Sequence, residues 1–289
     1  MASQADAGRK PRDDEIDVFG VTHQGLVRQV NQDHFLLGSL RKQLQVLQTS
    51  LPGGPGAVGS ADERVAFLAM VADGVGGGPR GEAASQLALS AITQYVTNSA
   101  ECYYTTDARD ESFLKNLEEG ARRVHADVLT RAEQDRELRG MATTLTLWLG
   151  VWPRVYLLQV GDSRCYLYRN GKLTQLSHDQ TMAQELIDQG ALTRTEAGRT
   201  PWANVLSSSI GGGQSAPVVT RVTNEWGSVW LLCSDGLTKH VSDERIAARL
   251  REMTSAREAC EALVQDALDG GGTDNVTVIV GRPFRKEPV

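Results

Sequence analysis

The chain has 289 residues, of which 40% are hydrophobic, and it carries a formal net charge of −6 with a pI near 5.5. This length and composition suffice for a packed core and disfavour a disordered chain. The acidic balance disfavours a nucleic-acid partner, and the lack of a long apolar run disfavours a membrane span or secretory signal. The four cysteines are far apart and the five histidines lack HxxxH spacing, which disfavours disulfides and a zinc site. We therefore expect a cytoplasmic, monomeric protein.

The composition along the chain indicates a single domain with two flexible parts. Residues 1–14 alternate charged and small side chains without an apolar period, which predicts a flexible tail. Residues 40–64 pass from a mixed segment into Pro, Gly and Ser, which predicts a surface insertion. No internal repeat and no long linker divide the remainder, so residues 15–285 are expected to form one domain.

Short apolar or alternating segments rich in Val, Leu, Tyr and Trp predict strands. In chain order they are RVAFLAMVAD, TTLTLWLGVW, RVYLLQVGD, RCYLYRNGKLTQL, PVVTRVT, SVWLLCSDG and DNVTVIV. The pair Asn170-Gly171 is typical of a tight hairpin turn, and Pro153-Arg154 separates two other strands. Neighbouring strands are therefore predicted to be antiparallel.

Four segments show apolar residues at the spacing of an amphipathic helix. They lie at residues 84–96, 113–128, 246–253 and 260–267. Because strands cluster and helices come in pairs, without strict βαβ alternation, the sequence predicts an α+β sandwich with helices packed on antiparallel sheets.

Four aspartates occupy corresponding positions at strand ends. Asp73 and Asp235 each end an apolar run and precede a glycine, whereas Asp33 and Asp274 each immediately precede a strand. In an antiparallel sheet the end of one strand lies beside the start of its neighbour, so these carboxylates could gather at one edge. Asp162, in the hairpin between two strands, could join them.

A cluster of carboxylates is costly in repulsion and desolvation unless cations compensate it. An all-oxygen site favours Mg²⁺ or Mn²⁺, and two such ions activate a water for attack on a phosphate ester. Each residue taken alone also has an ordinary interpretation. Asp-Gly is common in turns, Asp33 could cap a turn, and Asp274 could follow the helix stop at residues 270–272.

Other catalytic motifs are absent from the sequence. The glycine run at residues 76–78 lacks GxxxxGK[ST], so a nucleotide-binding loop is disfavoured. No GxSxG elbow or CxxxxxR motif provides a covalent nucleophile. Arg28, five residues before Asp33, taken alone is most simply a surface arginine, but beside a metal site it could bind phosphate oxygens.

Six motifs in order resemble the metal-dependent protein phosphatase family, protein phosphatase 2C, and especially its bacterial single-domain members. They are GLVRQVNQD, VADGVGGGPRGE, GMATTLT, VGDSRCYLYRNGKL, LLCSDGLT and GGTDNVTVIV, and the resemblance runs from about residue 17 to 281. It implies an α-β-β-α sandwich of two antiparallel sheets flanked by helix pairs, with a dinuclear Mg²⁺ or Mn²⁺ centre at one edge.

The resemblance also implies roles for single residues. Asp73 corresponds to the bridging metal ligand and Gly74 to its carbonyl partner, Asp235 and Asp274 to ligands of one ion, and Asp33 to a ligand of the other, mostly through water. Arg28 corresponds to the phosphate-binding arginine. Asp162 corresponds to the residue that helps Asp235 hold a weaker third ion. Residues 178–213 correspond to the flap beside the cleft.

The chain departs from the family pattern after the bridging aspartate. Bacterial members commonly read DGMGGH, but this chain has Val75 and Gly78 in place of methionine and histidine, so metal-bound water is the remaining candidate for the acid. Ala142 in GMATT replaces a usual glycine.

These observations lead to the hypothesis of a serine/threonine protein phosphatase in which a metal-bridging hydroxide attacks phosphorus without a phosphoenzyme. Its substrates would be phosphoproteins made by a Ser/Thr kinase in signal transduction. Two alternatives remain open: a pseudophosphatase that binds a phosphoprotein or kinase without turnover, and a phosphatase of small metabolites.

Overall fold

Two antiparallel sheets form the centre of the fold in the computed structural model, which describes residues 8–43, 52, 62–76, 79–99 and 110–286. One sheet has the strand order β1-β11-β10-β7-β8, and the other has the order β2-β3-β5-β6-β9, with the short β4 paired to β3. The strands are β1 (Ile16–His23), β2 (Asp33–Gln43), β3 (Asp62–Val75), β4 (Ala142–Thr143), β5 (Leu145–Val151), β6 (Arg154–Val160), β7 (Arg164–Arg169), β8 (Lys172–Gln175), β9 (Val218–Thr223), β10 (Val229–Cys233) and β11 (Val276–Pro283).

Helix pairs cover the outer face of each sheet. The helices are α1 (Pro79–Asn98), α2 (Asp110–Gln134), α3 (Met182–Asp188), α4 (Arg194–Ala197), α5 (Asp235–Thr238), α6 (Asp243–Glu252) and α7 (Ala256–Asp269). The pair α1 and α2 packs on the second sheet, and α6 and α7 pack on the first. The α-β-β-α sandwich expected from the sequence is therefore confirmed, and each of the four predicted helical segments falls within or beside one of these paired helices.

Side chains at the predicted signals set the element boundaries. Ser242 caps α6 and Ser255 caps α7, because their side chains accept hydrogen bonds from the backbone N–H groups of Arg245 and Glu258 respectively. Gly270 ends α7 as its C-cap. At the β7–β8 hairpin, Asn170 and Gly171 both have positive φ, 52° and 77°, as a two-residue hairpin turn requires.

Three apolar layers hold the sandwich together. Met70, Leu147 and Ile92 of α1 belong to the layer under the first helix pair, and all three are fully buried. Leu231 and Leu263 belong to the layer under the second pair. The layer between the sheets includes Val71, Leu157, Trp230 and Ile279. Helices therefore cover the outer faces and the sheets cover each other's inner faces, while the edge strands β8 and β9 keep exposed residues.

The structure describes part of each of the two segments that were predicted to be flexible. Of residues 1–14, the first seven lie outside the described residues, whereas Pro11 is buried and Arg9 Nη1 lies 2.6 Å from Glu15 Oε2. Within residues 40–64, β2 extends to Gln43 and β3 begins at Asp62, while 44–51 and 53–61 lie outside the described residues.

Candidate metal centre

Strand pairing brings the first two predicted ligands together. Asp33 begins β2 and is the register partner of Asp73 in β3, so their side chains leave the sheet on the same face. The backbone of Asp73 is fixed by the GMATT segment: its N–H donates to Thr144 Oγ1 (3.0 Å), and its carbonyl accepts from Thr144 N (2.9 Å) and Thr143 Oγ1 (2.9 Å). These hydrogen bonds fix the backbone position from which the Asp73 carboxylate projects.

Gly74 brings the start of α1 against the same sheet edge. A Cβ at this position would lie 2.2 Å from the carbonyl oxygen of Gly81 and 2.8 Å from that of Gln32. A larger residue would push α1 away from the strand that carries Asp73. Gly236 serves a similar purpose in α5, where a Cβ would lie 1.9 Å from the carbonyl oxygen of Asn275.

The remaining predicted residues come from α5 and from loops that connect to strands of the first sheet, and every predicted site residue except Asp33 lines one cleft. The cleft has a volume of about 530 Å³, and its walls include Arg28, Asp73, Gly74, Asp162, Asp235 and Asp274. Asp33 lies buried behind the wall, with 2% of its surface exposed. All seven site residues predicted from the sequence are thus gathered at one edge of the sandwich, although Asp235 starts the short helix α5 rather than ending a strand.

The environment of Asp33 leaves one oxygen without a partner. Its Oδ2 accepts hydrogen bonds from Ser234 Oγ (2.6 Å) and Thr277 Oγ1 (2.8 Å), whereas its buried Oδ1 has no hydrogen-bond partner in the described structure. Burial raises the pKa of Asp33 to about 6, partly offset by the two hydroxyl donors and reinforced by Asp235 and Asp274. An unsatisfied buried carboxylate oxygen is costly unless a cation, a water or a proton satisfies it.

Repulsion extends through the whole cluster. Burial is the main reason that the pKa of Asp73 lies well above its usual range, and Asp33, Asp235, Asp162 and Asp274 raise it further. Burial likewise raises the pKa of Asp162 to about 8, with Asp235 and Asp179 adding to the effect.

Two cationic side chains contact the aspartate cluster, and one of them, Lys239, was not predicted from the sequence. Lys239 Nζ lies 2.6 Å from Asp235 Oδ2 and 2.7 Å from Asp274 Oδ2, and Arg28 Nε lies 2.8 Å from Asp274 Oδ1. Burial alone would raise the pKa of Asp274, but hydrogen bonds from Lys239 and Arg28 outweigh it and the pKa is lowered. The i,i+4 spacing of Asp235 and Lys239 is visible in the sequence, but it is too common to mark a site residue.

The donor set fits hard divalent cations. Five carboxylates without cysteine or histidine, one with an unpartnered oxygen, match the oxygen chemistry of Mg²⁺ and Mn²⁺. Within the described ranges, no group of three or more Asp, Glu, His or Cys side chains is already arranged to hold a metal ion. Because Lys239 and Arg28 hold oxygens of Asp274, an ion bound there has to displace at least one of these contacts.

Buried polar residues hold the loop that carries Arg28. Asn275 Nδ2 donates to the carbonyls of Gln24 (2.8 Å) and Val30 (3.0 Å), and its Oδ1 accepts from Gln32 N (2.9 Å). Asn275 directly follows Asp274 in the chain, but no pattern in the sequence marked it as a site residue. One buried amide therefore ties the β1–β2 loop to the strand that begins beside Asp274.

The flap predicted at residues 178–213 forms the remaining wall of the cleft through Asn204, Val205, Leu206 and Ser209. It contains α3 and α4 and is tied to the sheet edge at Thr143, whose N–H and C=O both bond Ile210 at 2.9 Å. Val75, at a departure from the family pattern, lines the cleft with 39% of its surface exposed, whereas Gly78 lies outside the described residues.

No helix in the described part of the chain is both long enough and apolar enough to cross a membrane.

Comparisons with known proteins agree with this architecture. The chain is 37% identical over 215 residues to the serine/threonine protein phosphatase PstP of Mycobacterium tuberculosis, covering 74% of this chain and 40% of that protein. It is 32% identical over 213 residues to the protein phosphatase PhpP of Streptococcus pneumoniae, covering 73% and 83%. The crystal structure of the PstP catalytic domain in complex with two manganese ions matches with a TM-score of 0.71 and 31% identity, covering 93% of this chain and 99% of that one.

The chain thus spans about 40% of the length of the first of these relatives. The family model for protein phosphatase 2C matches residues 57–270, which is most of the chain and includes the cleft residues from Asp73 to Asp235. The chain therefore belongs to the protein phosphatase 2C family.

Proposed function

We propose that this chain is a metal-dependent serine/threonine protein phosphatase that hydrolyses phosphoserine and phosphothreonine. The observation that supports this most directly is the convergence of four carboxylates and Arg28 on one cleft at the edge of the sandwich, with Asp33 buried behind its wall. Relatives that carry the name serine/threonine protein phosphatase support the substrate class. Binding of two manganese ions by the PstP catalytic domain supports the cofactor.

The carboxylates divide into proposed ligands for two core ions, Mg²⁺ or Mn²⁺. Asp73 would bridge them with the carbonyl of Gly74, Asp235 and Asp274 would hold one ion, and Asp33 would contribute to the other. The unpartnered Oδ1 of Asp33 and the raised pKa of Asp73 both favour this assignment, since a cation relieves each. Asp162, beside Asp235, would help hold a weaker third ion.

Arg28 is the proposed phosphate-binding residue. Its guanidinium stands at the cleft with 48% of the side chain exposed and can present a bidentate donor pair to phosphoryl oxygens. When bound, the ions would make a water more acidic and offset charge on the phosphoryl group. Val75 has no proton to give, and water in the cleft is the proposed proton donor to the leaving serine or threonine oxygen.

The proposed substrates are phosphoproteins made by a Ser/Thr kinase, and the proposed setting is cytoplasmic signal transduction by a monomeric enzyme. The support for a phosphoprotein substrate is the volume of the cleft, about 530 Å³, which is larger than one phosphate group requires. A phosphorylated side chain can therefore enter while the rest of its protein remains outside.

Turnover of phosphopeptides in Mn²⁺, in Mg²⁺ and in excess chelator tests the proposal. We expect hydrolysis with either metal, none with chelator, and a loss of about 10²–10³-fold or more in Asp73→Asn. Arg28→Lys should raise KM because it loses the bidentate contact. Full activity in chelator would refute the metal dependence.

The same assays separate the alternatives. A pseudophosphatase would bind the phosphopeptide without releasing phosphate in Mn²⁺. A small-molecule phosphatase would hydrolyse nucleotide or sugar phosphates with a higher kcat/KM than any phosphopeptide.

A further inference from the structure

Most of the exposed large apolar side chains stand on segments that border the candidate metal centre. Nine large apolar side chains are exposed in the described part of the chain, and seven of them stand on segments that border the cleft. The other two, Leu129 and Val218, lie on α2 and β9. Exposed apolar surface concentrated in one place typically marks a recognition surface.

One group belongs to the flap, and we call it the flap patch: Met182, Trp202 and Val205. These side chains are 41%, 53% and 45% exposed. Backbone hydrogen bonds join them, since Met182 N donates to the carbonyl of Val205 (2.8 Å) and Val205 N donates to that of Trp202 (3.1 Å). Val205 itself lines the cleft together with Val75, so the patch is continuous with the candidate metal centre.

A second group flanks the proposed phosphate-binding arginine on the β1–β2 loop, and we call it the loop patch: Leu26, Val27 and Val30. Their exposed fractions are 65%, 60% and 40%. Leu26 N donates to the carbonyl of Gly272 (2.7 Å), which keeps this loop beside the strand start at Asp274. Exposed apolar side chains therefore precede and follow Arg28 along the loop.

Charged side chains are missing from the rest of the cleft wall. Apart from the aspartates, Arg28 and Lys239, the lining consists of uncharged residues among the described part of the chain: Gln32, Gly74, Val75, Gly76, Asn204, Val205, Leu206, Ser209 and Asn275. The cleft wall thus offers no further charge to recognise acidic or basic residues beside a phosphorylated side chain, whereas the flap patch joins it at Val205 and the loop patch flanks its Arg28.

We propose that the flap patch and the loop patch bind apolar side chains next to the phosphorylated residue, so that this chain selects phosphopeptide segments with aliphatic or aromatic neighbours. The inference rests on the proposed function, because it names the substrate class of the same cleft. An apolar side chain that enters such a surface loses its contact with water, which favours binding in proportion to the area covered.

Three phosphothreonine peptides that differ only in the residues on either side of phosphothreonine test the inference. The flanking residues are leucine, serine or glutamate. We expect kcat/KM for the leucine peptide to exceed that for the serine peptide about 10-fold or more, mainly through KM. Trp202→Ser and Val205→Ser should reduce this ratio towards one. Val218→Ser, which removes an apolar side chain that is 50% exposed on β9, is the matched control and should keep the ratio.

Binding of the same three sequences with a non-hydrolysable phosphonate is measured by fluorescence anisotropy in parallel. The ranking can then be read without turnover, and failure of catalysis is separated from failure of selection. A protein that ranks the phosphonates as expected but releases no phosphate refutes the proposed function and supports the inference. Equal affinities for the three peptides, or an unchanged ranking in Trp202→Ser with an unaltered circular dichroism spectrum, would overturn it. Dimerisation lost in Trp202→Ser would also overturn it, since the patch would then bind a second copy.

Discussion

Asp33 and Asp73 face each other as register partners across the β2–β3 ladder, where Asp33 is buried and Asp73 is half-buried at the wall of the cleft. Like charges directly opposite each other destabilise an antiparallel pair, and burial makes the charged forms costlier still. The pKa of Asp33 is accordingly raised to about 6, and that of Asp73 lies well above its usual range. Backbone pairing therefore holds together two groups that only protons or cations can neutralise.

The first prediction is a decline in stability with pH in the presence of chelator. The pKa of Asp33 is raised to about 6 and that of Asp162 to about 8, so the folded chain binds these protons more tightly than the unfolded chain. Its free energy of unfolding should therefore fall as the pH rises from 5 to 8. Each group contributes about 1.4 kcal/mol per pH unit until the pH reaches the pKa of that group in the folded chain. Glu15, whose pKa is lowered to about 2, contributes no slope in this window. Urea unfolding at several pH values measures the slope.

Two variants separate the cluster from the rest of the chain in that experiment. Asp162→Asn should flatten the decline between pH 6 and 8, whereas Asp269→Asn, at an exposed position on α7, should follow the wild type. Saturating Mn²⁺ should reverse the slope, because ions compete with protons for the same carboxylates. A flat wild-type profile in chelator would contradict the raised pKa values.

The second prediction concerns Lys239 as a competitor of metal ions. Its ammonium contacts Asp235 Oδ2 and Asp274 Oδ2 at 2.6 and 2.7 Å, with 26% of the lysine side chain exposed. Lys239→Met removes the charge but keeps the apolar stem, so an ion no longer has to displace it. Mn²⁺ affinity, measured by titration calorimetry, should rise about tenfold, which corresponds to about 1.4 kcal/mol.

The same substitution should make the chelator-treated protein less stable, because two carboxylates lose their counter-ion. Arg249→Met is the matched control, since Arg249 Nη2 pairs with Asp266 Oδ1 at 2.7 Å away from the cleft. It should lower stability and leave Mn²⁺ affinity unchanged. An unchanged or weaker Mn²⁺ affinity in Lys239→Met would count against the competition.

The strands and helices that the sequence revealed are those with a clear apolar period. The Asn170-Gly171 hairpin and the four helical segments were predicted because their signals are local. Strand β1 was not predicted, because it is an edge strand whose residues are all half-buried and show no alternation. The flap helices α3 and α4 are too short, at 7 and 4 residues, to display a helical period.

The aspartates of the candidate site could be predicted from the sequence because they lie at the ends of recognisable strands. The residues that hold them were not, because Ser234, Thr277 and Asn275 are ordinary polar residues whose partners lie far away in the chain. Lys239 was missed for a different reason. Its i,i+4 spacing to Asp235 is also common on solvated helix surfaces, so it carries no specific signal without the fold.

The third prediction is that Gly74 tolerates no side chain. A Cβ there would lie 2.2 Å from the carbonyl oxygen of Gly81, well inside van der Waals contact. Gly74→Ala should therefore lower the free energy of unfolding by about 3 kcal/mol, as measured in urea. At Gly213 no atom lies within 4 Å of the position that a methyl group would take, so Gly213→Ala should change stability by less than about 0.5 kcal/mol. Equal effects in the two variants would disprove the close approach.

The last prediction separates stability from substrate binding at Asn275. Its amide bonds Gln24 O, Val30 O and Gln32 N, and thereby holds the loop that carries Arg28. Asn275→Ala leaves these backbone groups without their partner, so the free energy of unfolding should fall by about 3 kcal/mol. Because Arg28 then loses its fixed position, KM for a phosphopeptide should rise several-fold more than kcat falls.

Asn224 provides the control, since it is an equally buried asparagine away from the cleft whose Oδ1 accepts from Trp230 Nε1 at 2.9 Å. Asn224→Ala should also destabilise the protein but should leave KM unchanged. A KM that rises equally in both variants would mean that general loosening of the fold, and not the loop, sets substrate affinity. A rise confined to Asn275→Ala would instead assign the placement of Arg28 to one buried amide.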